Sequence, residues 1–178
     1  MLNRKACLGF SVIELMITLV ILGVLAAIAV PSYVSFQQRS LLTGSVEKVF
    51  SHMEYARSES IASGKDVFVI FESTSGADWC VGVSDVAGCG CSTSASLAAC
   101  TINSAPTRFV RGTDYPSIQV TTNFTDNDTG YSSPRSIAME TGAVNVTLPG
   151  YGDAEVRLNV LGRLRLCSDT LSIYAGCP

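Results

Sequence analysis

A single histidine, His52, stands in this 178-residue sequence, and no His, Asp or Glu cluster at metal-ligand spacing accompanies it. No nucleophile–base pair can be assembled from that inventory, so the reading is not an enzyme and requires no cofactor. Three other groups of residues carry chemistry. Glu14 is a carboxylate inside an apolar run, and burying it in a membrane costs about 3 kcal/mol, which marks a functional position. Seven cysteines, Cys7, Cys80, Cys89, Cys91, Cys100, Cys167 and Cys177, are available for disulfides or for zinc. Arg163 and Arg165 alternate with Leu164 and Leu166. On a strand the two guanidiniums share one face about 7 Å apart, which matches neighbouring phosphates along a nucleic-acid strand.

The elements that must position these groups begin with residues 10–30. Apart from Ser11, Glu14, Thr18 and Gly23, every residue there is apolar. As a helix the run is about 31 Å long, the thickness of a bilayer's hydrocarbon core. Arg4 and Lys5 precede it and should stay cytoplasmic. Ala26, Ala27 and Ala29 would suit a signal-peptide cut, but Glu14 argues against that reading. Beyond Pro31 the pattern becomes amphipathic: Leu42, Val46, Val49, Met53 and Ala56 form one stripe, and Gly64 suits a C-cap. One helix is therefore expected from Phe10 to Ser63, with His52 off the stripe and solvated. After Gly64 come short strand signals at 66–71, 79–83, 107–111, 117–121, 135–139, 143–148, 155–160, 163–167 and 171–174. The first two should pair as a hairpin. The expected class is α+β, a long helix packed on an antiparallel β-sheet domain of one or two sheets.

The run Gly9-Phe10-Ser-Val-Ile-Glu14-Leu15 resembles the class III signal of type IV pilins and type II secretion pseudopilins. The resemblance implies that a prepilin peptidase cuts between Gly9 and Phe10, that Phe10 is N-methylated, and that Glu14 supports assembly. The chain would then comprise a leader (1–9), a membrane and filament-core helix (10–30), an amphipathic helix (31–64) and a periplasmic β-rich head (65–178). The stretch Glu54-Tyr-Ala-Arg-Ser-Glu-Ser-Ile-Ala-Ser-Gly-Lys65, with Trp79-Cys-Val-Gly82 after it, resembles the GspH/FimT group. Ser60 stands where that group usually has Ala, and Val83 where it often has a second Trp. Members are minor pilins or minor pseudopilins at or near a filament tip. The implied partners are the inner membrane, the peptidase, and other major and minor pilins. The filament would be a type IV pilus or, alternatively, the type II secretion pseudopilus.

Cys7 lies in the leader, so six cysteines would remain in an oxidising periplasm, an even number that points to disulfides. Cys167 and Cys177 resemble the C-terminal loop disulfide of pilins. Cys80, Cys89, Cys91 and Cys100 leave two pairings open, 80–89 with 91–100 or 80–91 with 89–100; zinc is the competing reading. Gly162-Arg-Leu-Arg165 resembles a Gly-Arg-x-Arg motif associated with DNA binding in some FimT-type minor pilins. The opposing consideration is charge. Loss of Arg4 and Lys5 with the leader moves the net charge from −3 to −5, confining any DNA contact to a local patch, with Arg108, Arg111, Arg135 and Arg157 as candidates to extend it. Asp126-Asn-Asp-Thr-Gly130 departs from a calcium-loop pattern after Asp128 and reads as a solvated turn.

Overall fold

The long helix forms where the periodicity demands it. In the computed structural model, which describes residues 10–73, 78–91 and 100–177, helix α1 spans Val12–Ser63. The Ser11 carbonyl opens it by accepting the N–H groups of Glu14 and Leu15. It continues through Pro31, whose missing N–H leaves the Ala27 carbonyl without its usual donor. Gly64, at φ +65°, closes it in the left-handed conformation that glycine adopts without a Cβ penalty. The proposed leader, including Arg4, Lys5, Cys7 and Gly9, lies outside the described residues.

The chain divides into two compact units, meeting between Gln37 and Gln38. In the first, the apolar side chains from Phe10 to Phe36 stand exposed. By length and composition α1 can cross a membrane: its most apolar 18-residue window has mean hydropathy 2.7, and none of it is buried. Thr18 and Ser35 donate their hydroxyls to the carbonyls of Leu15 and Ser32, so the helix itself satisfies them.

The second unit packs the later part of α1 against strands β1 (Val67–Ser73), β2 (Trp79–Ser84), β3 (Thr101–Ile102), β4 (Ala105–Pro106), β5 (Phe109–Arg111), β6 (Gln119–Thr122), β7 (Asp128–Ser132), β8 (Ile137–Ala138), β9 (Gly142–Leu148), β10 (Gly152–Leu158) and β11 (Leu164–Cys167). Among the described residues these form a five-stranded sheet, β5-β2-β1-β7-β8, a four-stranded sheet, β11-β10-β9-β6, and the ribbon β3-β4. Every pairing between these strands is antiparallel. One core joins Leu42, Val46, Val49, Met53 and Ala56 of the helix to Val69 and Val81 of the first sheet and Val144, Val146 and Val156 of the second. The helical stripe was legible because a 3.6-residue period and its burial coincide.

Three local expectations are corrected. Residues 171–174 form no strand. Leu171 instead plugs the core, and the Ser168 hydroxyl receives its N–H at 2.9 Å within a terminal loop. The polar stretch 126–130 is only partly a turn: Asp126 and Asn127 take positive φ, but Asp128 to Ser132 enter the five-stranded sheet between β1 and β8. Gly130 permits this, since a Cβ there would lie 2.5 Å from the Val67 carbonyl oxygen on the neighbouring strand. His52, expected in solvent, is buried, with 7% of its surface exposed. The buried set on α1 includes His52 and Ser60 beside the apolar stripe, and the Ser60 hydroxyl donates to the Tyr131 carbonyl.

Candidate functional site

The N-terminal candidate begins with geometry that the helix start imposes. Phe10 stands two residues before the start of α1, with 76% of its surface exposed. Glu14 lies in the first turn, where free N–H groups and the helix dipole favour a carboxylate. Among the described residues no hydrogen bond or ion pair engages its side chain, whereas Thr18 one turn later is satisfied within the helix. Apolar residues flank in sequence an acidic group that the described residues leave unpaired. Such a group is suited to receive a cation from outside the chain.

The arginine candidate is the hairpin joining β10 to β11. Asn159 shapes its turn: the Asn159 side-chain oxygen accepts the N–H groups of Leu161 at 3.1 Å and Arg163 at 2.9 Å. Gly162 takes φ +73°, and a Cβ there would lie 2.5 Å from the Ser136 carbonyl oxygen. Arg163 and Arg165 are exposed, while Leu164 and Leu166 are half-buried against the core. Across the ladder Arg165 faces Arg157. Glu155 holds Arg157 at 2.7 Å, so that third guanidinium is partly neutralised. Arg135 adjoins Ser136, whose carbonyl contacts the turn, and is exposed. Arg108 and Arg111 belong to the edge of the other sheet, where they lie 4.7 Å over the rings of Tyr55 and Phe109 respectively.

The cysteines are structural. Cys80 is bonded to Cys91, Cys89 to Cys100 and Cys167 to Cys177, which selects one of the two pairings the sequence left open. Glu72 and Glu155 approach the first and last of these bridges, but sulfurs joined to each other are not thiolate ligands for zinc. Trp79-Cys-Val-Gly82 gains a physical reading here. Trp79 is buried and donates its indole N–H to the Ile118 carbonyl at 2.8 Å, while a Cβ at Gly82 would sit 3.3 Å from that of Cys91. At the other end, the Tyr174 hydroxyl donates to Glu47 at 2.9 Å, tying the terminal loop to α1. Burial, then that hydrogen bond, pushes the Tyr174 hydroxyl up to about 12.

Sequence reasoning missed a basic cavity of about 430 Å³ lined by Lys48, Ser51, His52, Tyr55, Thr107, Arg108 and Phe109. Its signal was the placement of His52 three residues after Val49 and four before Ala56, which puts it beside the buried stripe.

An exposed apolar helix feeding a head of one amphipathic helix on two antiparallel sheets is the architecture of the pilin class. The prokaryotic N-terminal methylation motif matches residues 4–30, and the family described as type II transport protein GspH matches residues 45–170. The chain belongs to the GspH family. It is 43% identical to a fimbrial protein of Pseudomonas aeruginosa over 63 residues, which are 35% of this chain and 40% of that one. It is 41% identical over 68 residues to the type IV major pilin protein PilA of Myxococcus xanthus, covering 38% of this chain and 30% of PilA. The chain thus spans less than half the length of these curated relatives. Two crystal forms of the type IV minor pilin FimU of P. aeruginosa share the fold at 15% identity. Their TM-scores are 0.56 and 0.50, covering 74% and 70% of this chain and 91% of FimU in each case. These relatives are a fimbrial protein, a major pilin and a minor pilin.

Proposed function

We propose that the chain is a minor pilin of a type IV filament, anchored in the inner membrane by α1 with its head in the periplasm. A prepilin peptidase cuts it between Gly9 and Phe10, and Phe10 is then N-methylated. The observation that carries this reading is the uncovered apolar helix that starts two residues after Phe10 and holds in its first turn a Glu14 with no partner among the described residues. Cleavage there creates a positive amine at Phe10 while keeping the helix. An amine 4 Å from the Glu14 of a neighbouring subunit is attracted by about 4 kcal/mol at an effective dielectric of 20, enough to offset the roughly 3 kcal/mol cost of burying the carboxylate. The assignment as a minor subunit is supported by the GspH match and the FimU fold; the type II transport description keeps the secretion pseudopilus as the alternative. Deleting the gene and scoring surface pili and protein export in the same strain separates the two. Loss of pili with export intact is the expected outcome, and loss of export alone assigns the chain to secretion.

A second reading, DNA contact, is favoured by the hairpin that exposes Arg163 and Arg165 with Arg157 across the ladder. The net acidic chain limits it to that patch. Retention of duplex DNA should fall in Arg163→Gln/Arg165→Gln and with added salt; equal, salt-insensitive retention by both proteins contradicts it.

A further inference from the structure

The cavity between α1 and the chain entering β5 has a chemistry that neither the membrane helix nor the arginine hairpin uses. Lys48 comes from an exposed position on α1, His52 from the next turn, and Arg108 from the residue before β5. Arg108 is held in place: its guanidinium lies 4.7 Å over the Tyr55 ring, and its carbonyl accepts the Val83 N–H at 3.2 Å. Among the described residues neither Lys48 nor Arg108 has a carboxylate partner; the ion pair found there is Arg157 with Glu155. His52 is oriented by the Lys48 carbonyl, 2.9 Å from its Nδ1. A carbonyl only accepts, so Nδ1 carries the hydrogen there and Nε2 is the ring nitrogen left for another partner. The charged groups acting on the imidazole are Lys48 from the helix and Arg108 from the sheet edge, both cations; the Tyr55 phenol also lines the cavity.

Two cations with no carboxylate partner among the described residues line one cavity with a recessed imidazole, a setting that favours an anion. We infer that this pocket receives a carboxylate, presented by an acidic side chain or the C-terminus of a neighbouring protein chain. Shape decides between carboxylate and nucleic acid. His52 is almost fully recessed, and a carboxylate on a flexible stem reaches such a ring where a phosphate in a duplex backbone does not. Phe109, 42% exposed at the rim, offers an apolar surface for that stem. On binding, Nε2 takes a proton from solvent, keeps it and donates a hydrogen bond to the carboxylate, so occupancy tightens as the pH falls and the charge on the imidazole rises. The inference rests on the proposed function only for the source of the carboxylate, a neighbouring subunit.

Because His52 is the one histidine in the sequence, its ring protons are an unambiguous reporter in the detergent-solubilised full chain. Titrating it by NMR with and without N-acetyl-aspartate amide should raise its pKa by about one unit, equivalent to roughly tenfold tighter binding to the protonated form. Lys48→Gln and Arg108→Gln should each abolish that response, while Lys65→Gln, outside the cavity, should keep it. Two further arms use inorganic phosphate and a short DNA duplex. An unchanged titration with N-acetyl-aspartate amide, an undiminished response in both cavity variants, or a response to phosphate or DNA alone overturns the inference. Folding of each variant is checked by the melting curve, and Lys48→Arg, which keeps the charge, should retain the response. The measurement involves no filament, so the pocket can fail while the filament reading stands, and the reverse.

Discussion

Gly162 is constrained twice, by its φ of +73° and by the Ser136 carbonyl oxygen facing the space a side chain would fill. Backbone strain and a steric clash therefore act together, and Gly162→Ala should cost about 2 kcal/mol or more of stability in urea unfolding. A cost below about 0.5 kcal/mol would show that the turn yields freely. The Gly-Arg-x-Arg spacing was visible in the sequence, but the reason for its glycine was not: Ser136 is 26 residues away, and only the folded chain brings it to the turn. His52 makes a different prediction. Burial, together with the nearby Lys48 and Arg108 cations, holds it below the ordinary value of 6.5 against the raising effect of its hydrogen bond to Lys48. The unfolded chain then binds the proton more readily, so this group's contribution is present above pH 6.5 and is lost as the pH falls through the folded value. Between pH 7 and pH 5 the melting temperature of the wild type should drop further than that of His52→Gln. Parallel curves would contradict the assignment.

At the scale of elements, α1 does two jobs with two residue patterns. Leu22 is exposed in the first unit, whereas Met53 is fully buried in the core of the second. Met53→Ala should lower the stability of the head by about 2–5 kcal/mol, while Leu22→Ala should leave its unfolding curve unchanged. Equal effects on unfolding would remove the distinction. The helix, its change of pattern after Pro31 and the β1–β2 hairpin were legible because each has a strong period or a dense β-branched run. β7 was not. Its Asp-Thr-Gly start reads as a turn, and its place in the sheet depends on Gly130 admitting the Val67 carbonyl and on Thr129 bonding the Glu140 carbonyl at 2.9 Å. Residues 171–174 err the other way: a short apolar segment looks like a strand, but the Cys167–Cys177 bridge and Ser168 hold it as a loop. Periodicity carries no record of such long-range closures.

For the whole molecule, the uncovered helix and a Glu14 with no partner among the described residues fit the proposal that other subunits cover both. In the proposed assembly, lipid surrounds the apolar side chains first, neighbouring helices then replace it, and an amine meets the carboxylate. Two cuts compete in the sequence, one ahead of the apolar run and one after its alanines, and they produce opposite molecules: the first keeps the helix, the second removes it. Mass spectrometry of the N-terminus of the chain recovered from its host's membranes distinguishes them. The account predicts a mature chain beginning at N-methylated Phe10. An intact Met1, or a chain beginning after Ala26, Ala27 or Ala29, would contradict it.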